Sequence, residues 1–322
     1  MRVLLITNQS VSRKTGGNKI LVSIFDSYQK SELFNAVSLK KFRFRDLLGY
    51  RSTCADYDII HVHFGGIYAL AFGVSIMFSK TKKVITYHGT DIHGTVPQGV
   101  SLLLKCKIEL NKICSLYCCY VYNELGFVSN SLRSVAFPKR DNTFIDCLAV
   151  DTEIFHSKSM ELCKKQLNLN PSVKYLLFSS VSSNSVKRYD LAKKIVEFLP
   201  ENVQLLKMEG ISFSQVPLYL NSCHGVLLTS DNEGSPNIIR EALSCGTPVF
   251  AFDVGDVREQ LVGTRTSRIL SRKDLEWSAN QIVRSLDEYA KEQVSILDWA
   301  EYASIMYNRY NNFYEDNSSN NN

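Results

Sequence analysis

Twice along the chain, short apolar runs with strand character alternate with amphipathic stretches of helical period, and few folds accommodate that order. The first series places strands at 2–7, 57–63, 83–88 and 125–129, each followed by a candidate helix. The second resumes after about residue 145, with strands at 174–180, 203–208, 225–229 and 248–252 and helices near 190–198, 236–245 and 273–286. A chain that passes from strand to strand through a helix returns to the same sheet edge, so the strands run parallel and the helices cover the sheet faces. The expected fold is α/β, two Rossmann-like doubly wound domains in series. Ligands on such open sheets sit beyond the carboxyl ends of the strands, so two domains facing each other would enclose a cleft.

Length agrees: 322 residues suffice for two units of about 150 each. A hydrophobic share of 45% and a charged share of 21% exclude wholesale disorder or a disulfide-dense scaffold. Lys plus Arg exceed Asp plus Glu by 37 − 32 = 5, too little for a dedicated nucleic-acid binder. The nine cysteines include no CxxC pair, and no secretory core is read at the N-terminus, so free thiols in a reducing cytoplasm are expected. No charged residue lies between Asp58 and Lys80, which raises a membrane span; yet Gly65-Gly66 break the run and the apolar part from Phe64 to Phe78 is short of the roughly 18–20 residues a span needs. A buried strand-turn-helix is the preferred reading. A boundary near Val150 divides the chain into 1–150 and 151–297, with 298–322 forming a tyrosine-rich helix and a frayed polar tail.

The most informative segment runs from Leu227 to Val249, LLTSDNEGSPNIIREALSCGTPV. A buried strand ends in a polar loop, Ser235 reads as an N-cap, and Pro236 suits the first helical position, where no amide hydrogen is needed. The amides of Asn237 and Ile238 would then face the crevice, and a helix start of this kind attracts phosphate through its dipole and its unpaired donors together. Glu241 lies one turn deeper on the face of Asn237, placed to accept bonds from ribose hydroxyls, and Glu233 precedes the helix, within reach of a sugar beyond the diphosphate. Taken alone, the two glutamates read rather as a helix cap (Glu233) and a solvated face residue (Glu241); the whole strand-loop-Pro-helix context reverses that.

Glu233 and Glu241 enclose seven residues, and the surrounding EGSPNIIREAL with GTPVFAFDVGDVRE (246–259) resembles the donor site of retaining family 4 glycosyltransferases, which carry the EX7E motif. The likeness is close over about 172–262 and looser in the first half, through Thr15-Gly-Gly17, YDIIHVH (57–63) and THGTD-like Thr86-Tyr-His-Gly-Thr-Asp91. The resemblance implies the GT-B fold, with 1–150 binding the acceptor, 151–297 the nucleotide-sugar donor, and the last helix crossing back to the first domain. It implies a nucleoside diphosphate sugar, a UDP-sugar foremost, as donor, with no cofactor and no metal. By the same resemblance the loop at Gly16 and Gly17 closes over the donor phosphate or shapes the acceptor site, although a GG pair is also a plain turn. His88 would contact the transferred sugar, with the backbone carbonyl there steadying positive charge; by position alone it is equally a satisfied core residue. Asp91 would orient that loop.

A cation after the strand at 174–180 would neutralise the departing diphosphate. The family places an Arg and a Lys here; this chain has Asn184 at the Arg position, Lys187 at the Lys position, and Arg188 beside it. Ala149-Val-Asp151 likewise departs from the usual Gly-Val-Asp. The resemblance implies transfer with the anomeric configuration kept, by front-face attack that needs no protein nucleophile.

Two rival readings remain. His61, His63, His88, Asp91 and His93 are a donor set that could ligate zinc in a hydrolase, and the missing Arg would suit a non-enzymatic nucleotide-sugar binding module. No GxGxxG occurs and Gly16-Gly17-Asn18-Lys19 lacks P-loop spacing, so neither fingerprint is supported. Lys40-Lys-Phe-Arg-Phe-Arg45 alternates as a strand would, putting Lys41, Arg43 and Arg45 on one face and Phe42 and Phe44 on the other, a candidate contact for an anionic membrane or a lipid-linked acceptor. Leu103, Cys106, Leu110, Ile113 and Tyr117 recur at helical spacing and read as core. The resemblance, with this basic patch, implies a cytoplasmic glycosyltransferase, expected at the inner membrane face, that moves sugar to a lipid-linked saccharide in O-antigen, capsule or exopolysaccharide synthesis, with no nucleic-acid partner.

Overall fold

The computed structural model describes residues 1–9, 19–94, 101–135, 140–179 and 185–315. The chain divides into two compact units: Met1–Leu148 together with the segment from Asp298 onward, and Ala149–Leu297. Gly16, Gly17 and Asn184 lie outside the described residues.

In the first unit the strands are β1 (Arg2–Thr7), β2 (Ala36–Lys41), β3 (Ile59–His63), β4 (Lys82–Tyr87), β5 (Glu124–Phe127) and β6 (Thr143–Ile145), and the helices α1 (Lys19–Lys30), α2 (Leu47–Cys54), α3 (Ile67–Ser75), α4 (Thr90–His93), α5 (Leu102–Tyr117) and α6 (Asn130–Val135). The sheet is parallel, in the order β2-β1-β3-β4-β5-β6. Inner strands are buried on both faces, which is why β1 and β3 read as near-continuous Val, Leu and Ile rather than as alternation. The edge strand β2 is polar instead.

The second unit contains β7 (Lys174–Phe178), β8 (Val203–Lys207), β9 (Gly225–Leu228), β10 (Val249–Phe252) and β11 (Arg268–Leu270), with α7 (Met160–Gln166), α8 (Tyr189–Glu197), α9 (Val216–Ser222), α10 (Asn237–Ser244), α11 (Val257–Gln260) and α12 (Leu275–Asp287). Its parallel order is β11-β10-β9-β7-β8. Successive side chains point to opposite faces, so Val249 and Ala251 join Ile239 and Leu243 of α10 on one side, and Phe250 and Phe252 join Ile195 of α8 and Ile282 of α12 on the other. Helix α12 starts where the Asp274 carboxylate accepts the Trp277 amide at 2.8 Å, and it buries Ser278, Ala279, Ile282, Ser285 and Leu286, one stripe at helical spacing.

Helix α13 (Trp299–Glu315) packs in the first unit against α1. Tyr302, Met306 and Tyr310 recur every four residues and are buried. The two tyrosine hydroxyls complete a polar chain across the core: the Tyr310 oxygen lies 3.1 Å from that of Tyr28 and 2.6 Å from His61 Nδ1, His61 Nε2 meets Thr86 Oγ1 at 2.8 Å, and Thr86 and Tyr302 each donate to Asp146 at 2.9 Å. Burial pushes these phenols up and holds His61 down at about 3, so the phenols and the imidazole are neutral near pH 7.

Glu292 carries the loop before β11. Its carboxylate accepts the amides of Arg265, Thr266 and Ser267 at 2.8–2.9 Å and the hydroxyls of Thr266 and Ser267 at 3.0 and 2.9 Å. Burial would raise its pKa, but these donors outweigh burial and hold it below the ordinary 4.5. A carboxylate with a depressed folded-state pKa contributes stability that is complete above the unfolded value and is lost as pH falls through the folded one. Glu292→Gln sets an amide NH2 among donors and is expected to cost about 1–3 kcal/mol at neutral pH. Urea unfolding at neutral pH and below 4.5 should show the variant's deficit shrinking in acid.

Three expectations are corrected. The 40–45 segment is not one strand: β2 ends at Lys41 and residues 44–46 form a single 3₁₀ turn, so Phe42 is buried while Phe44 is 46% exposed. Lys40, Lys41, Arg43 and Arg45 remain exposed but are not the single face of a strand. The stripe on α5 is not core, because the helix packs through Cys114 and Ser115 and leaves Leu103, Cys106, Leu110, Ile113 and Tyr117 exposed. Helix α10 starts one residue later than its sequence suggests, with Pro236 at the N-cap. Among the described residues no helix is long and apolar enough to cross a membrane, and all nine cysteines are free.

Candidate active site

In each sheet the chain leaves its first strand in one direction and later returns to pair on the other side. That reversal opens a crevice at the carboxyl ends of β1 and β3 in the first unit and of β7 and β9 in the second. The candidate residues gather at these two places.

At the second crevice, the turn Ser185–Lys187 follows β7 and the loop 229–236 follows β9. The Thr229 hydroxyl donates to the carbonyls of Lys187 and Arg188 at 3.0 and 2.9 Å, and the Asp231 amide donates to Val186 at 2.8 Å, so turn and loop are stitched together. Lys187 Nζ then lies 2.5 Å from Glu233 Oε1, which also accepts the Ser230 hydroxyl at 2.7 Å. Lys187 and Glu233 keep only 25% and 15% of their side-chain surface, so a strong cation and a carboxylate are held together at the mouth of the crevice.

Arg188 is placed differently. Its backbone is left-handed, with φ 51°, and its guanidinium spans Asp190 at 3.0 and 2.8 Å and Asp231 at 3.1 Å. Those carboxylates raise its pKa further, and Asp231 is shared with Arg272 at 2.9 Å. Both arginines are therefore tied into an ion-pair cluster, whereas Lys187 is the cation aimed at the motif glutamate.

The start of α10 is held from below. Pro236 brings no N–H, and the amides of Asn237 and Ile238 make no hydrogen bond within the described residues, so two donors face the crevice. The Ser235 hydroxyl, expected to cap the helix, instead donates to Asp256 at 2.6 Å and accepts from Arg240 at 2.7 Å. Arg240 also donates to the Asn237 side-chain oxygen at 2.6 Å, and Gln260 donates to Asp256 at 2.6 Å. Burial pushes the Asp256 carboxyl up, against the pull of Ser235, Arg240 and Gln260. Arg240 and Asp256 were not singled out from the sequence, although both lie inside the quoted motif segments; Arg240 stands three residues after Asn237, the spacing of helix neighbours. Glu241 is half-buried on α10, one turn below Asn237.

In the first unit His88 follows β4 directly. The Asp91 carboxylate accepts the amides of His88 (3.1 Å), Gly89 (2.8 Å) and Gly65 (2.9 Å), which draws the β3 and β4 loops together. His88 stacks on Phe64 at 4.1 Å and its Nε2 lies 3.2 Å from His63 Nδ1. Burial lowers both imidazoles, His88 to about 4, so both are neutral near pH 7. His63 Nε2 is buried without a partner among the described residues. An orphaned lone pair costs less than an orphaned N–H, so the proton of His63 sits on Nδ1 and is donated to His88, leaving His88 protonated on Nδ1. His63, Asn8, Phe42, Phe64 and Tyr68 line a cavity of about 200 Å³ counting its open mouth.

This arrangement does not suit the zinc reading. Asp91 is spent on backbone amides, and among the described residues the set that converges within 4.8 Å is His61, His63 and Asp146 instead. Both ring nitrogens of His61 are already bonded, to Tyr310 and Thr86, so neither is available without dismantling the core network. His93, on α4, is not part of that set.

Residues 161–288 match the family model described as glycosyl transferases group 1. The N-acetyl-alpha-D-glucosaminyl L-malate synthase of Bacillus anthracis is 22% identical over 277 residues, covering 74% of this chain and 70% of that protein. Among solved structures, Anabaena HepE in complex with UDP and glucose has a TM-score of 0.69 at 14% identity, covering 99% of this chain and 100% of its own. Sucrose-phosphate synthase from Thermosynechococcus elongatus has a TM-score of 0.63 at 13% identity, covering 98% and 100%. At these identities the structural likeness establishes the fold: the chain consists of two Rossmann-like α/β domains of the kind found in GT-B glycosyltransferases, the second carrying the match to group 1 glycosyl transferases.

Proposed function

We propose that this protein is a retaining, metal-independent glycosyltransferase of family 4, with Glu233 and Glu241 as its EX7E pair. It moves a sugar from a nucleoside diphosphate donor, a UDP-sugar foremost, to a saccharide acceptor. The observation that carries the reading is the start of α10, where the amides of Asn237 and Ile238 make no hydrogen bond within the described residues and Lys187 meets Glu233 in the loop just before them, at a strand switch point. That is a cradle for a diphosphate, with charge supplied by a side chain and a helix end. The Anabaena relative's complex with UDP and glucose supports the same class of donor.

In this reading Glu241 binds the ribose hydroxyls and Glu233 the transferred sugar, while His88 offers its Nδ1–H to a sugar hydroxyl. The bond from the anomeric carbon to the diphosphate oxygen breaks as the acceptor hydroxyl oxygen attacks the same face. The acceptor proton passes to the departing phosphate oxygen, whose growing charge is met by Lys187 and the α10 amides. No protein nucleophile is consumed. The acceptor is a lipid-linked saccharide of surface polysaccharide synthesis, used by a cytoplasmic enzyme at the inner membrane face.

Calorimetric titration with UDP, GDP and ADP tests the donor, one base being selected. Glu241→Ala should weaken nucleotide binding about 10- to 100-fold through loss of hydrogen bonds to a charged group. Glu233→Ala should lower kcat more than it raises KM. Indifference to all three nucleotides would refute the site; selective binding without sugar turnover would leave a binding module.

A further inference from the structure

Helix α5 presents its apolar side outward. Every residue from Ser101 to Lys107 is exposed, Leu102 and Leu103 at 77% and 81%, and Leu110, Ile113 and Tyr117 extend the strip along the same face. The Ile67 amide at the start of α3 donates to Asn111 in the middle of α5 at 3.1 Å, and Gly65 lies against Ser115. The first turns of α5 therefore project past the start of α3, beyond the carboxyl edge of the first sheet, where His63 and His88 stand.

Cations border this strip. At about 100° per residue Lys107 follows Leu103 on one side of the strip and Lys105 lies beyond Leu102 on the other, and neither has an acidic partner among the described residues; Lys112 pairs with Glu109 further along the helix. The same sheet edge carries Phe44 between the exposed Arg43 and Arg45, with its ring 5.0 Å from Tyr68 of α3, itself 38% exposed. Leucines and rings flanked by unpaired Lys105 and Lys107 and by the exposed Arg43 and Arg45, the latter beside Asp46 at 3.6 Å, match a surface that is apolar below and anionic above. Lysine stems lie along apolar matter while their ammonium groups reach phosphate.

We propose that α5 seats this protein on an anionic bilayer, with Leu102, Leu103 and Leu110 entering the headgroup–acyl boundary and Lys105 and Lys107 meeting lipid phosphates. The purpose of that seat, delivery of a lipid-linked acceptor to His88, rests on the function proposed above; the seat itself rests on exposure and charge. The test accordingly uses neither donor nor acceptor. The full chain is sedimented with vesicles of phosphatidylcholine alone and of phosphatidylcholine mixed with an equal part of phosphatidylglycerol. Binding to the mixed vesicles, weakened by salt, is expected. Leu102→Ser with Leu103→Ser should reduce partitioning tenfold or more, on the order expected for losing two inserted side chains. Lys105→Glu with Lys107→Glu should reduce it by about 20-fold or more, from about fivefold per lysine charge near the surface. These side chains are solvated, so thermal midpoints and UDP titration should match the parent. Equal binding to both vesicle types, no binding, or parent-like binding by the leucine variant would overturn the proposal. So would a concentration-dependent dimer in sedimentation velocity that the leucine variant abolishes, which would give the face to a second copy. Vesicle binding by a chain that ignores nucleotides would sink the proposed function and leave the membrane seat standing.

Discussion

Lys187→Ala is expected to lower kcat about 10²- to 10³-fold, with a smaller effect on donor affinity, the size seen when one preorganised group is removed from a developing charge. The side chain is placed for that role by three contacts. Thr229 holds the carbonyls of Lys187 and Arg188, fixing the turn to the end of β9, and Glu233 holds the ammonium 2.5 Å away. The Glu233 carboxylate keeps the cation in position. In the proposed reaction the cation needs only to shift from one oxygen to another as the bond to the diphosphate breaks, so little reorganisation is required. Arg188 is no substitute, because Asp190 and Asp231 take its donors and its left-handed backbone turns it toward them. Lys187→Arg keeps the charge but exchanges a compact ammonium for a planar fork, and partial activity is expected. Steady-state kinetics on both variants and on Arg188→Ala decide the matter. Parent-like kcat for Lys187→Ala with a large loss for Arg188→Ala would move the role to the arginine.

Why one cation was ambiguous in the sequence and is distinct in the structure follows from what periodicity can carry. Adjacent residues Lys187 and Arg188 are equivalent along the chain; their partners, Glu233 and Asp231, lie more than forty positions away and are brought in by the pairing of β7 with β9. The fold itself was legible because each buried strand repeats the same apolar signal. The strands it missed or blurred, β2, β6 and β11, are short or polar edges that need little hydrophobic content. The helix start at Pro236 shifted by one residue because the capping hydroxyl of Ser235 is claimed by Asp256, a residue in the next βα loop. Amphipathic spacing showed that α5 has two faces but not which one turns inward. There Ser115 lies against Gly65 and Asn111 against Gly66, close approaches that turn this side of the helix inward, and the leucines are left outside.

Gly255→Val is expected to disable the site and to unfold the second unit more easily, by about 2–5 kcal/mol from the left-handed backbone and the overpacking together. Gly255 has φ +61°, and a Cβ there would sit 2.6 Å from the Gly234 carbonyl oxygen and 2.8 Å from that of Glu233. Both are backbone atoms, so no side chain can swing aside. Either the 253–256 loop retreats or the Glu233–Gly234 loop is driven off. Retreat breaks the Asp256 contacts with Ser235 and Gln260 that brace the start of α10, and displacement of the Glu233 loop parts it from Lys187. Both routes would spoil the proposed diphosphate cradle, so UDP titration should show weaker binding alongside the lower unfolding midpoint. Gly263 provides the control: its φ is +81° but nothing lies within 4 Å of its added Cβ, so Gly263→Val should incur only the backbone strain and leave nucleotide binding unchanged. If Gly255→Val binds nucleotide like the parent while losing the same stability as Gly263→Val, the close approach of the two loops has no part in forming the site.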